Sequence, residues 1–109
     1  MAVVLEIIIE SQTAELLETR RADEFAGVYR RTYTPLVEYC RTRLRAGDEA
    51  EDIAQAALVK AWDTWDRFDR GRPFWPWVVT IARRLAIDNF RRSGRQDMLS
   101  SVWPDTATT

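Results

Sequence analysis

RFDRGRPFWPWVVTIARRLAIDNFRR, residues 67–92, is the stretch on which the reading of this chain turns. It opens on Arg70-Gly71-Arg72-Pro73, where glycine permits unusual backbone angles and proline sets its own φ. A helix is predicted to follow. Pro73 suits the first helical turn, where a missing N–H costs nothing, and Pro76 still falls inside that turn. Phe74, Trp77, Val78, Ile81 and Leu85 recur at helical spacing and are expected to face inward. Thr80, Arg83, Arg84 and Arg91 fall mostly on the other side, with Trp75 near the entry. Flat rings beside guanidinium groups suit a single-stranded nucleic acid, because rings stack on bases and cations track phosphates.

The charge balance supports that reading only when it is taken segment by segment. The 109 residues carry a formal net charge of −1, which taken whole argues against a nucleic-acid partner. Residues 67–95, however, hold eight arginines against Asp69 and Asp88, while residues 1–66 hold eight basic side chains against thirteen acidic ones. An acidic front and a basic, aromatic back point to two different partners. At 46% apolar content the chain is one small domain with material for a modest core.

With no histidine and the single cysteine Cys40, an internal disulfide is excluded and a metal site is not expected. Cys40 reads as a buried thiol in a reducing compartment. The apolar start MAVVLEIIIE lacks a basic flank and is too short to span a bilayer, so no membrane partner is expected and the chain reads as cytosolic. No histidine base, Gly-rich phosphate loop or activated nucleophile is visible, so the reading is not an enzyme and no cofactor is called for.

Outward from the central stretch, the fold class is all-α. Residues 3–9 are β-branched but have no second strand to pair with, so a helix or arm is expected over residues 1–22. A helical span over 23–45 carries Phe25, Val28, Tyr29, Leu36, Val37, Cys40 and Leu44. Pro35 is expected to kink or briefly break it near Thr32–Pro35. Gly47 suits a left-handed helix end, and Asp48 with Glu51 is expected to cap the next helix, Glu49–Asp66. That helix is expected to bury Ile53, Ala57, Leu58, Ala61, Trp62 and Trp65. Its other face, with Glu49, Asp52, Gln55, Ala56, Val59 and Asp63, is less polar than a solvated surface and hints at docking. Residues 96–109 have no period and read as a linker or tail. Trp62, Trp65 and Trp77 fit the core, Trp75 is open to either reading, and Phe68 and Phe74 flank the turn and could pin it.

Several ordered blocks carry a resemblance: Glu51-Asp52-Ile53-Ala54-Gln55, Lys60-Ala61-Trp62, Phe68-Asp69, Arg72-Pro73-Phe74-Trp75-Pro76-Trp77-Val78-Val79 and Ile81-Ala82-Arg83-Arg84-Leu85-Ala86-Ile87-Asp88. Together with residues 25–36 they resemble region 2 of bacterial sigma factors, most closely the extracytoplasmic-function group, over residues 23–95. The resemblance implies a compact three- to four-helix domain that binds core RNA polymerase and recognises or melts the promoter −10 element. It places Asp52, Gln55, Ala56 and Val59 against the β′ clamp helices. It places Arg67, Phe68, Arg70, Arg72, Phe74, Trp75, Thr80, Arg83, Arg84 and Arg91 against the non-template strand of promoter DNA. An anti-sigma factor is a further partner it allows. Ala56 stands where Glu is common, so one polar contact does not carry over. Arg84 stands where Asn is common, so base identity at the −10 element does not carry over either. Nothing in these residues resembles a second, −35-reading domain; an excised domain, a truncated product or a region-2-only protein is expected. The rival readings are a sigma-derived module that occupies the polymerase clamp or binds a regulator without reading DNA, and a general single-strand binder.

Overall fold

The computed structural model describes residues 2–94, and the expected tail at 96–109 lies outside them. Among the described residues there are three α-helices and no strand: α1, Ala2–Thr42; α2, Ala50–Asp63; and α3, Phe74–Arg92. Single 3-10 turns, Gly47–Glu49 and Trp65–Arg67, precede and follow α2. The all-α expectation holds.

The chain divides into one unit through Arg30 and a second from Arg31 onward. In the first, α1 runs unbroken across residues 20–22, where the sequence pattern leaves open whether the two helical spans join. Phe25 is buried and its ring lies 6.5 Å from that of Tyr29. Val4, Leu16 and Leu17 are exposed.

In the second unit α1 continues through Pro35 as far as Thr42, so of the expected kink or brief break there is no break, and the element does not end there, as expected. Proline removes one backbone hydrogen bond, a loss that the burial of Leu36, Val37, Cys40 and Leu44 just beyond it offsets. The end of α1 also differs from expectation. Gly47 is left-handed at φ 56, but Arg45 is left-handed as well, at φ 54, and Ala46 N donates to Cys40 O at 3.0 Å. Asp48 makes no cap. It sits inside the 3-10 turn, α2 begins at Ala50, and the residue before it, Glu49, has helical angles and no side-chain cap bond.

The α2/α3 pair forms the centre of this unit. Ala50, Ala54, Ala57 and Ala61 on α2 and Ala82 and Ala86 on α3 are all fully buried. Such small residues let two helix backbones approach closely, and α2 packs on α3 more intimately than on any other helix. Ile53 and Leu58 on α2 and Val78, Val79, Ile87 and Phe90 on α3 are buried with them. The buried stripe of α3 is therefore Val78, Val79, Ala82, Ala86, Ile87 and Phe90. This corrects the sequence expectation. Of Phe74, Trp77, Val78, Ile81 and Leu85, only Val78 is fully buried, and the others stand at the edge. The stripe is rotated toward the alanines because close helix packing rewards small side chains at the contact, whereas hydrophobic period alone favours the largest ones. On α2 the expectation holds except that Trp62 is half-buried and Trp65 enters the core from the 3-10 turn after the helix has ended.

Candidate nucleic-acid interface

The connection between α2 and α3 is built from rings. Thr64 closes α2 with its hydroxyl donating to Lys60 O at 2.9 Å, and the 3-10 turn then drives Trp65 inward to 1% exposure. Phe68 stacks on Trp65, with centroids 5.2 Å apart, and on Trp77, with centroids 4.8 Å apart. Phe74 meets Trp65, Phe68 and Trp77 edge-on at 5.8, 5.6 and 5.7 Å. Offset stacks and edge-to-face pairs at these spacings are the favoured aromatic arrangements. Four rings thus hold a short loop against the first turn of α3.

The loop is tightened from inside. Asp69 Oδ1 accepts from Gly71 N at 2.9 Å, Asp69 O accepts from Arg72 N at 3.0 Å, and Asp69 Oδ2 lies 3.7 Å from Arg72 Nε. Gly71 does not serve this turn through unusual angles: it is not among the left-handed residues. It serves by size, since a Cβ there would come within 3.1 Å of Asp69 Oδ1. Arg70 donates to Trp65 O at 2.9 Å and to Phe68 O at 3.0 Å, with its guanidinium carbon 4.5 Å from the Trp65 ring centroid. Its cation is engaged within the loop.

Between this loop and α3 lies a cleft of about 670 Å³ lined by Arg67, Phe68, Asp69, Arg72, Pro73, Pro76, Trp77 and Thr80. Two prolines and two rings make the walls, two arginines supply positive charge, and Asp69 supplies an acceptor. Pro73 stands just before α3 with φ −62 and ψ 140, one position earlier than the first helical residue, and Pro76 lies within the first turn. Neither breaks the helix, because the first-turn nitrogens have no intrahelical partner. Thr80, which lines the cleft, donates its hydroxyl to Pro76 O at 2.9 Å.

The ten residues expected to face DNA are distributed over several places. Arg67, Phe68, Arg72 and Thr80 line the cleft. Phe74 is in the ring cluster and Arg70 braces it. Trp75, 39% exposed, stands edge-on to Tyr39 of α1 with centroids 5.8 Å apart. Arg83 donates through Nε and Nη2 to the Tyr39 hydroxyl at 3.1 and 2.8 Å. Arg84 and Arg91 are exposed further along α3. Pro76 and Trp77 also line the cleft and Tyr39 stands against Trp75 and Arg83, and none of the three is marked by the sequence as facing DNA. Trp77 was hidden by its fit to the apolar stripe, and Tyr39 lies 44 positions from Arg83 with no local signal.

A second surface lies on α2. Asp52, Gln55, Ala56 and Val59 follow at spacings of three, one and three and share one exposed face, with Val59 59% exposed. Gln55 Nε2 donates to the Tyr33 hydroxyl at 3.4 Å. Beside them a groove of about 200 Å³ is lined by Glu49, Asp52, Ile53, Ala56, Leu85, Asn89 and Arg92. There the Asn89 amide donates to the Glu49 carboxylate, tying the start of α2 to the end of α3. No described helix is long and apolar enough to cross a membrane.

Comparison with known proteins gives these surfaces a context. The family model for sigma-70 region 2 matches residues 28–96. The chain is 37% identical over 70 residues to an ECF RNA polymerase sigma factor, SigW of Bacillus subtilis, covering 64% of this chain and 37% of that protein. It is 34% identical over 101 residues to the ECF RNA polymerase sigma factor SigD of Mycobacterium tuberculosis, covering 86% of this chain and 42% of that protein. It is 30% identical over 91 residues to the ECF RNA polymerase sigma factor BldN of Streptomyces coelicolor, covering 83% of this chain and 32% of that protein. The chain therefore spans less than half the length of these relatives. No solved structure matches it. On the family match, the relatives and the all-helical fold together, the chain belongs to the sigma-70 region 2 family of extracytoplasmic-function sigma factors.

Proposed function

We propose that this chain is a sigma factor domain that docks on core RNA polymerase through α2 and holds the non-template strand of the promoter −10 element at the cleft between the loop and α3. The observation that carries the reading is the cleft: two arginines and two rings converge on a space of about 670 Å³, within the range of pockets that take small organic ligands. A base extruded from a duplex costs a few kcal/mol, and ring contacts together with cation–phosphate pairing offset that cost. Arg67 and Arg72 supply the charge. Phe68 and Trp77 supply flat walls already locked by stacking, so little ordering is needed on binding.

The exposed face of Asp52, Gln55, Ala56 and Val59 supplies the polymerase contact, toward the β′ clamp helices. The relatives' names speak of RNA polymerase, which supports this assignment. The domain acts without catalysis of its own, in the cytoplasm where the polymerase is. An anti-sigma regulator would work by covering either surface.

Two titrations test the reading. The chain and an Asp52→Ala/Gln55→Ala variant are titrated against core RNA polymerase, and the wild-type complex is then offered a randomised single-stranded DNA pool whose bound fraction is sequenced. Core binding lost in the double variant, with an enriched sequence bound by the wild-type complex, is the expected result. Core binding without any enriched sequence would make the chain a clamp-occupying module. No core binding would remove the proposal entirely.

A further inference from the structure

Tyr39 belongs to α1, outside the loop and outside the blocks that carry the family resemblance, yet it touches two of the α3 residues assigned to the strand. Its ring meets Trp75 edge-on at 88°, with centroids 5.8 Å apart. Its hydroxyl accepts from Arg83 Nε at 3.1 Å and Nη2 at 2.8 Å, and the Arg83 guanidinium carbon lies 5.9 Å from its ring centroid. Trp75 and Arg83 are eight residues apart, about 12 Å along the helix axis. A side chain on a helix leans toward the N-terminus, so Arg83 reaches back while Trp75 stands at the helix entry. The tyrosine, half-buried, fills the interval and engages both with opposite ends of its side chain.

This geometry has a physical consequence. An indole 39% exposed at a helix start and a long arginine both lose rotamer freedom when they bind a ligand. Tyr39 removes part of that freedom in advance. The ring edge limits the indole, and two donors converging on one oxygen set the plane of the guanidinium. The aromatic face and the cation are then presented together.

We propose that Tyr39 is a positioning residue for single-stranded DNA: it holds Trp75 and Arg83 in one arrangement, so that a base meets the indole while a phosphate of the same strand meets the guanidinium. The inference rests on the function proposed above and adds to it a contact on the α1 side of α3, separate from the cleft. Pre-ordering two such side chains is worth roughly tenfold in affinity.

The test uses Tyr39→Phe, which keeps the ring and removes the hydroxyl, Tyr39→Leu, which removes both, Arg83→Ala, and the Tyr39→Phe/Arg83→Ala pair. Each variant is bound to core RNA polymerase, and the anisotropy of a fluorescein-labelled, randomised single-stranded DNA is followed at fixed ionic strength. Thermal midpoints and core affinities are recorded in parallel. Tyr39→Phe is expected to keep its midpoint and core affinity while strand affinity falls roughly threefold, and Tyr39→Leu to lose roughly tenfold. In the Arg83→Ala background Tyr39→Phe is expected to have no further effect. A Tyr39→Phe loss that persists in that background, or that tracks a lowered midpoint and lowered core binding, would mean a packing role and overturn the proposal. Tyr39→Phe equal to wild type while Arg83→Ala is defective would overturn it too. A wild-type complex that binds no strand at all would bring down the proposed function first, and this inference with it.

Discussion

Arg70→Ala separates two roles that one arginine could play. In sequence Arg70 belongs to the basic cluster. In the structure its guanidinium donates to Trp65 O at 2.9 Å and Phe68 O at 3.0 Å and lies 4.5 Å from the Trp65 ring centroid. A hydrogen bond to a charged donor contributes about 1.5–3 kcal/mol when shielded, and a cation–π contact about 0.5–2 kcal/mol. Arg70 is itself exposed, so solvent screening discounts these to a combined loss of about 1–2 kcal/mol. The loss falls on the loop joining α2 to the ring cluster, so it should appear as a lower urea midpoint with an unchanged slope. Arg70→Lys should recover little of it, because an ammonium cannot lie flat on the indole and donate to two carbonyls in the same fork. The salt dependence of strand binding should stay as in wild type, since the cation is used within the loop. An arginine that paired with a phosphate of a single strand would instead lower the slope of log affinity against log salt by about 0.7. Unchanged urea unfolding together with a reduced salt slope would refute the brace and return Arg70 to the strand-contact set.

Three further outcomes follow from the packing. Ala82→Leu inserts bulk at a fully buried contact between α2 and α3 and should destabilise by about 1–3 kcal/mol or more, read by chemical denaturation. Arg45→Gly should be neutral or stabilising by up to about 1 kcal/mol, because Arg45 sits at φ 54 where a side chain costs energy and glycine does not. Burial raises the Cys40 thiol from 9.0 to about 11. The unfolded thiol ionises at the lower value, so this contribution to stability is whole below pH 9.0 and is lost as pH rises from there toward 11. A thiol reagent at neutral pH should accordingly label Cys40 only after unfolding. Labelling of the native protein at the unfolded rate would contradict this.

Much of this protein was legible without coordinates, because helices declare themselves locally. The period of Ile53, Ala57, Leu58 and Ala61, the shared face of Asp52, Gln55, Ala56 and Val59, and the aromatic-basic run after Asp66 are all set by neighbours within a few positions. The ordered blocks from Glu51 to Asp88 carried the family resemblance in the same way. What the sequence could not determine depends on partners far away along the chain. The stripe of α3 is rotated onto Val79, Ala82 and Phe90 because α2 offers alanines at the matching depth, which no period within α3 reveals. A Cβ at Gly71 would press on the Asp69 carboxylate, Arg70 turns inward because two carbonyls and a ring lie within its reach, and Arg83 finds Tyr39 across 44 positions. Local backbone preference decides where helices form. Which side chains are spent on holding the domain together, and which are left to meet a strand, is decided only when the helices pack.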